Sequence, residues 1–268
     1  MDCVILGESH LKVTLDYLTG PVLGHKRRCE ILRKVLVDRG HKVNNYGYYG
    51  YGFYDDDWSV VDYPKDQFPK RVKCHNRLVM GILPQEEGDW AWHPLAIPTV
   101  NTLTGASWLI LDPKLGDYRD HPKRDEVLVT CGGADPFHLT EQILSLIHVD
   151  AVVIGENFNR HIEVPMNTTF HYYPSSYNMM EILSSYRTIV CTWGTTVFES
   201  LYLGAKVYPI TLSDDHADEA FRLGTMFIRK ESIGKLPDWM KETNHWNIDR
   251  PLIDLLGAER LCKFMERF

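Results

Sequence analysis

The chain has 268 residues, of which 44% are hydrophobic, 24% charged and 12% aromatic. That length holds one large or two modest domains, and the composition excludes a mini-protein, a collagen-like repeat and wholesale disorder. Lysine and arginine total 29 against 36 acids, a formal charge of −7, so a groove built to grip a phosphate backbone is disfavoured and nucleic acid is not expected as a partner. No basic segment precedes the short apolar run at the start, and no stretch approaches the ~18 apolar residues of a membrane span. A cytoplasmic protein without a membrane span is expected; nothing in the pattern sets an oligomeric state. The six cysteines, Cys3, Cys29, Cys74, Cys131, Cys191 and Cys262, include no Cys-x-x-Cys pair, so neither a disulfide framework nor a zinc site follows.

Along the chain, Val13-Thr14-Leu15-Asp16-Tyr17 is β-rich, Thr19-Gly20-Pro21 breaks it, and Cys29 to Leu36 repeats apolar residues at helical spacing. Arg39-Gly40-His41 stops that helix and Lys42-Val43 opens a second strand, which makes a βαβ unit with parallel strands. The Tyr/Gly-rich run from Asn45 to Tyr54 has no clean period and reads either as an aromatic surface loop or as a lid that stacks on a sugar. Short β-like runs at Ser59–Tyr63, Leu78–Ile82 and Ser107–Leu111 would extend the first sheet. Charge and proline cluster from Asp112 to Asp125, which reads as an interdomain linker. Strands and helices then alternate: strands at Glu126–Cys131, Ala151–Gly155, Thr188–Cys191 and Lys206–Ile210, helices at Leu139–Ile147, Met179–Ser184, Val197–Leu203 and Ala217–Leu223. The expectation is an α/β protein of two doubly wound, Rossmann-like domains, residues 1–122 and 123–268, facing a cleft.

Four segments carry chemistry. Gly24-His25 opens the first helix, where free N–H groups and the helix dipole favour an anion and a neutral imidazole. His25 is therefore a candidate general base, against the plainer reading of a structural or exposed histidine. In Cys191-Thr192-Trp193-Gly194-Thr195-Thr196-Val197-Phe198-Glu199 a strand runs through a glycine turn into a helix whose N–H groups could hold a diphosphate, and Glu199 could accept both hydroxyls of a ribose. Equally, Thr195 or Thr196 could cap the helix and Glu199 complement its dipole. Gly132-Gly133 forms another strand-to-helix turn that lets a ligand approach the backbone. Asp214-Asp215, ahead of His216, is either good N-terminal charge placement or a contact to sugar hydroxyls. No metal triad, Walker loop, Gly-x-Ser-x-Gly or strand-anchored Gly-x-Gly-x-x-Gly occurs, so no metal or other cofactor is expected.

Taken in order, Gly24-His25-x-x-Arg28-Cys29, Arg39-Gly40-His41-Lys42-Val43, Gly105 to Pro113, Leu128 to Pro136, Cys191 to Glu199 and Leu255 to Arg260 resemble the UDP-2,4-diacetamido-2,4,6-trideoxy-β-L-altropyranose hydrolase family of pseudaminic acid biosynthesis, and behind it the GT-B glycosyltransferases. The resemblance implies a UDP-sugar substrate, with His25 activating the attacking water, Gly132-Gly133 and Thr195-Thr196 cradling the diphosphate, and Glu199 holding the ribose. Tyr63 falls where the family has a sugar-side tyrosine, and Asp214 where it has an asparagine usually followed by glutamine. His25, Tyr63 and Asp214 form the expected catalytic set; Gly24, Arg28, Trp193, Gly194 and Asp215 complete the substrate contacts.

Asp214-Asp215 departs from the family, because ionised carboxylates accept hydrogen bonds and cannot donate them. A different sugar or reaction is thereby allowed. The resemblance implies cleavage of the anomeric C–O bond with inversion and water as acceptor. A metal-independent glycosyltransferase on the same site, a nucleotide-sugar epimerase and a non-catalytic binding module stay open beside it.

Overall fold

The computed structural model describes residues 10–17, 23–47, 56–62, 76–80, 90–92, 101–132, 135–155, 162, 168–172, 176–242 and 253–268. Its contacts divide the chain into two units, residues 1–110 with Leu256–Phe268, and residues 111–255.

The first unit carries strands β1 (Lys12–Tyr17), β2 (Lys42–Gly47), β3 (Trp58–Asp62), β4 (Asn76–Met80), β5 (Trp90–Trp92) and β6 (Thr102–Leu103), with helix α1 (Leu23–Asp38) crossing from β1 to β2. They form one sheet in the order β2-β1-β3-β4-β5-β6, every adjacent pair parallel. Cys29, Leu32 and Leu36 repeat on one face of α1 and are buried against Val13, Leu15, Trp58 and Leu78. Gly40 ends that helix with φ of +85° while His41 N–H reaches back to Leu36 O, a Schellman closure that needs the left-handed residue.

The second unit carries β7 (Arg124–Thr130), α2 (Leu139–Leu146), β8 (Ala151–Ile154), β9 (Thr169–Tyr172), α3 (Ser176–Ser185), β10 (Tyr186–Thr192), α4 (Thr195–Tyr202), β11 (Lys206–Thr211), α5 (Asp214–Arg222), β12 (Ile228–Arg229) and α6 (Leu236–Lys241). Its sheet is again parallel throughout, in the order β12-β11-β10-β7-β8-β9. Strands buried on both faces by crossover helices read as continuous apolar runs, as Val127-Leu128-Val129 and Ile189-Val190-Cys191 do.

Three expectations from the sequence are corrected. The run Ser107–Leu111 is no strand: Ala106–Trp108 is a short 3-10 helix, and Trp108 O accepts the indole N–H of buried Trp92 at 2.8 Å. The proline-rich segment after Asp112 is no linker either. Pro113–Tyr118 is a 3-10 helix capped by Asp112, with Leu115 and Tyr118 buried three residues apart in the second unit. The division therefore falls at Ile110/Leu111 and not after residue 122, and the chain end leaves the second unit altogether. Helix α7 (Gly257–Met265) belongs to the first, because Leu261, Cys262 and Met265 are buried in its core.

Contacts along the length of α7 fix it there. The Trp58 indole donates to Met265 O at 3.1 Å, Arg260 donates to Ser107 O at 2.7 Å, and Trp90 packs edge-on to Phe264 at 4.7 Å. Glu266 accepts two hydrogen bonds from Arg39, at 2.8 and 2.7 Å, and faces His41 Nε2 at 2.9 Å. These partners, Arg39 foremost, hold the Glu266 carboxyl down to about 2 against an opposing effect of burial. At its other end α7 begins on Leu109: a Cβ on Gly257 would stand 2.0 Å from Leu109 O and 2.7 Å from Leu109 C.

Two measurements follow. Gly257→Ala cannot keep this approach and should destabilise the protein by more than about 2 kcal/mol in urea unfolding, in the range of overpacked sites. Because the Glu266 carboxyl is lowered on folding, its contribution is complete above the unfolded value of 4.5 and disappears as pH falls towards about 2. Glu266→Gln should cost about 1 to 2 kcal/mol at pH 7, allowing for solvent screening, and the gap to wild type should narrow through that acid window.

Candidate functional site

An open parallel sheet binds ligands outside the carboxyl ends of its strands, at the point where the strand order reverses. In the second sheet the chain builds outward from β7 through β8 to β9, then returns to the other side of β7 with β10, β11 and β12. The reversal lies between β7 and β10, which pair with Cys191 beside Thr130. Just beyond that register stand Gly132 on one strand end and Trp193-Gly194 on the other, so two segments sixty residues apart in sequence meet at one crevice. Gly132 has φ of +83°, and a Cβ there would lie 3.6 Å from Thr192 Oγ1; backbone conformation, not lack of space, selects the glycine. Gly133 lies outside the described residues.

Four helices, α2, α3, α4 and α5, start at this end of the sheet; the residues ahead of α3 lie outside the described ones, and the other three N-termini differ. At α2 the buried Asp135 carboxylate caps with both oxygens, accepting Leu139 N–H at 2.9 Å and Thr140 N–H at 3.0 Å. At α5 Ser213 Oγ accepts His216 N–H. At α4 the N-cap is Gly194, and no side chain caps the first turn among the described residues. Val197 N–H turns back onto Gly194 O at 3.1 Å, and among the described residues no side chain accepts from Thr195 or Thr196 N–H, so these groups and the positive end of the dipole face the strand ends. The loop leading to α2 also holds two left-handed non-glycine residues, Asp135 at φ 43° and His138 at φ 55°, a concentration of strain that the double cap of Asp135 sustains.

Glu199 is the fifth residue of α4 and only 2% exposed. It lies close to Cys191, whose thiol is pushed far up by burial first and by the Glu199 charge second. Trp193 is turned inward: it is 6% exposed, its indole N–H donates to Glu219 Oε2 at 2.8 Å, and its ring packs edge-on to Phe198. The side chain thus holds the turn and presents no face to a ligand. Asp214 is 86% exposed and paired with Arg229, and Asp215 is exposed beside it. The residue after them was not picked out by the sequence reading. His216 is half-buried, its Nδ1 has no hydrogen-bond partner among the described residues, and burial pulls its pKa below the ordinary imidazole range while Glu219 and Asp215 oppose. The signal available for it was the three-residue spacing from His216 to Glu219, which puts both on one face of α5.

In the first sheet the order reverses between β1 and β3. Helix α1 follows β1 and begins at Leu23, so Gly24 and His25 stand in its first turn; their side chains lie outside what the structure describes. Tyr63 directly follows β3 and also lies outside the described residues. Arg28, one turn further along α1, places its guanidinium 5.6 Å above the Trp92 ring.

Folding also gathers His41, Cys262 and Glu266, whose potential ligand atoms lie within 4.8 Å of one another. Their chemistry is directed elsewhere. Arg39 holds Glu266 in a two-bond fork. Leu11 N–H donates to His41 Nδ1 at 3.3 Å, which puts the ring hydrogen on Nε2, the atom facing Glu266. The Cys262 thiol is pushed up to about 12, by burial first and then by the Glu266 charge. A cation would have to displace a guanidinium, reverse a tautomer and ionise that thiol.

No family model matches this sequence, and no curated protein does. Among solved structures, MurG of Acinetobacter baumannii aligns over 96% of this chain and 100% of its own, at 11% identity and a TM-score of 0.55. The spinosyn rhamnosyltransferase SpnG aligns over 97% of this chain and 96% of its own at 12% identity, also with a TM-score of 0.55. SpnG complexed with spinosyn aglycone gives 11% identity, 94% and 96% coverage, and a TM-score of 0.55. These are glycosyltransferases of the GT-B fold, and the present chain has that fold, with its two parallel six-stranded sheets.

Proposed function

We propose that this chain is an enzyme of nucleotide-sugar chemistry that holds the diphosphate of a UDP-sugar on the first turn of α4 and transfers the anomeric carbon to water. The observation that carries the reading is the α4 N-terminus at the β7/β10 reversal, which no side chain caps among the described residues, whereas side chains close the starts of α2 and α5. A diphosphate satisfies the open N–H groups and the dipole together. The GT-B fold supports the same substrate class.

Each residue then has a task. His25, by the family resemblance, takes a proton from water as the oxygen attacks the anomeric carbon. The bond from that carbon to the diphosphate oxygen breaks, UDP leaves carrying the electron pair, and the sugar is released with inverted configuration. Negative charge builds on the departing diphosphate, where donors fixed in advance by α4 stabilise it with little reorganisation. Glu199 accepts the ribose hydroxyls. Burial favours neutral His216, which can both donate to and accept from a sugar hydroxyl, a capability that the exposed pair Asp214-Asp215 lacks. This reading moves the sugar-side role from Asp214 to His216, and takes its chemistry from the sequence's resemblance to the pseudaminic acid hydrolase family.

A second reading, transfer to an alcohol or amine at the same donor site, is favoured by the likeness to SpnG, solved with spinosyn aglycone. The two part on one measurement. Rapid UDP release from a UDP-sugar with no acceptor present supports hydrolysis, and release that waits for an added alcohol or amine supports transfer; tight binding with no turnover in either setting would leave only a binding module. In the active enzyme His25→Ala should lower kcat about 10³-fold with UDP affinity nearly unchanged, in line with general-base contributions. Glu199→Ala should instead weaken UDP binding about 10-fold or more in isothermal titration. Full turnover by the His25 variant would remove the base assignment.

A further inference from the structure

We infer that Glu219 and Trp193 form a clamp that positions the α4 N-terminus for its anion, so that Glu219 is a positioning residue of the nucleotide site without touching the nucleotide. The inference rests on the reading of α4 as the diphosphate cradle. Trp193 occupies the position between the last residue of β10 and Gly194, the N-cap of α4. Three contacts fix it. Its backbone N–H donates to Ile210 O of β11 at 2.8 Å, its ring packs on Phe198 of α4 with centroids 5.5 Å apart, and its indole N–H donates to Glu219 of α5 at 2.8 Å. Only the third links the turn to a neighbouring helix through a side chain, and both of its partners are buried, Glu219 being 8% exposed.

The arrangement matters because Gly194 constrains nothing by itself. It has no side chain, and a Cβ placed on it would meet no atom within 4 Å. Packing of Val197, Phe198 and Leu201 sets the axis of α4, and Trp193 supplies the side-chain tie just ahead of its first N–H groups. A buried carboxylate that receives an indole N–H is a strong, directional anchor, and hydrogen bonds to an ionised acceptor are stronger than neutral ones. The backbone bond from Trp193 to Ile210 survives when Glu219 is altered, so the turn should stay folded while losing its fixed orientation. Donors that recognise an anion lose effect when they are misplaced even slightly, which makes ligand affinity the sensitive readout.

The test is isothermal titration with UDP on the full chain, with urea unfolding run in parallel. Glu219→Ala and Trp193→Phe should each weaken UDP binding about tenfold, and the double variant should lose no more than either alone, since the two remove one interaction. Glu219→Gln retains an oxygen that accepts the indole N–H and should recover affinity to within about threefold of wild type. Asp218→Ala, on an exposed position of the same helix, serves as the control and should bind as wild type does. If Glu219→Ala does not fold, Trp193→Phe and Glu219→Gln still decide the matter, because the first must lose affinity and the second must keep it. Unchanged UDP affinity in Trp193→Phe or Glu219→Ala, with only stability lowered, overturns the clamp while leaving the nucleotide site intact. A wild-type protein that does not bind UDP overturns both.

Discussion

The parallel pairing of β7 with β10 is the constraint on which the second unit depends. These strands are far apart in sequence, and their register, with Cys191 beside Thr130, decides which loop ends lie level with each other. A slip by one residue would turn every side chain on the strand to the opposite face of the sheet. Leu128 and Ile189 would then leave one apolar layer for another, and both are fully buried. The observed register brings Gly132 and Gly194 to the same end of the sheet. Cys131 and Cys191 lie at this junction, yet both thiols are driven far above their ordinary range by burial, so they act as apolar filling and not as nucleophiles.

Helix capping then differentiates what the topology makes equivalent. Every crossover helix in a parallel sheet presents its N-terminus to the same edge, so position alone would make α2, α3, α4 and α5 interchangeable as anion sites, and of these the starts of α2, α4 and α5 are described. Side-chain chemistry separates them. Asp135 closes α2 and Ser213 closes α5, whereas Gly194 has nothing with which to close α4. With glycine at the N-cap the loss relative to a good side-chain cap is only about a few tenths of a kcal/mol, a small cost for leaving the first turn open.

Much of this was readable from residues alone. The α/β class, both strand ends at the second crevice and the glycine turn ahead of Glu199 follow from apolar runs of four to six residues ending in glycine. The missed features share one cause, which is that their signal is tertiary. Strand β5 is only Trp90-Ala91-Trp92, too short for a period to show, and β6 is shorter still. Ser107–Leu111 has β-forming residues but serves as the platform on which α7 begins. The charged segment after Asp112 hides Leu115 and Tyr118, and a count of charge cannot see two buried residues among exposed ones. Trp193 enters the expected ligand contacts through the family resemblance; only coordinates reveal that its N–H is directed into the protein, onto Glu219.

The buried acids of the second unit present a problem of electrostatics whose solution is itself informative. Asp135, Glu199 and Glu219 are all buried; Asp135 lies in the loop ahead of α2, and the two glutamates on helices that begin at the carboxyl edge of the sheet. Three carboxylates near an anion site should repel a diphosphate, and a chain of formal charge −7 has no general excess of cations to offset them. Two of the three are directed onto N–H donors: Asp135 onto the start of α2, Glu219 onto the Trp193 indole. Hydrogen bonds of that kind draw the negative charge towards the loop framework and away from the opening of the crevice. In the proposed function these buried acids tie down the loops around the α4 terminus, and its backbone N–H groups and dipole would meet the anion.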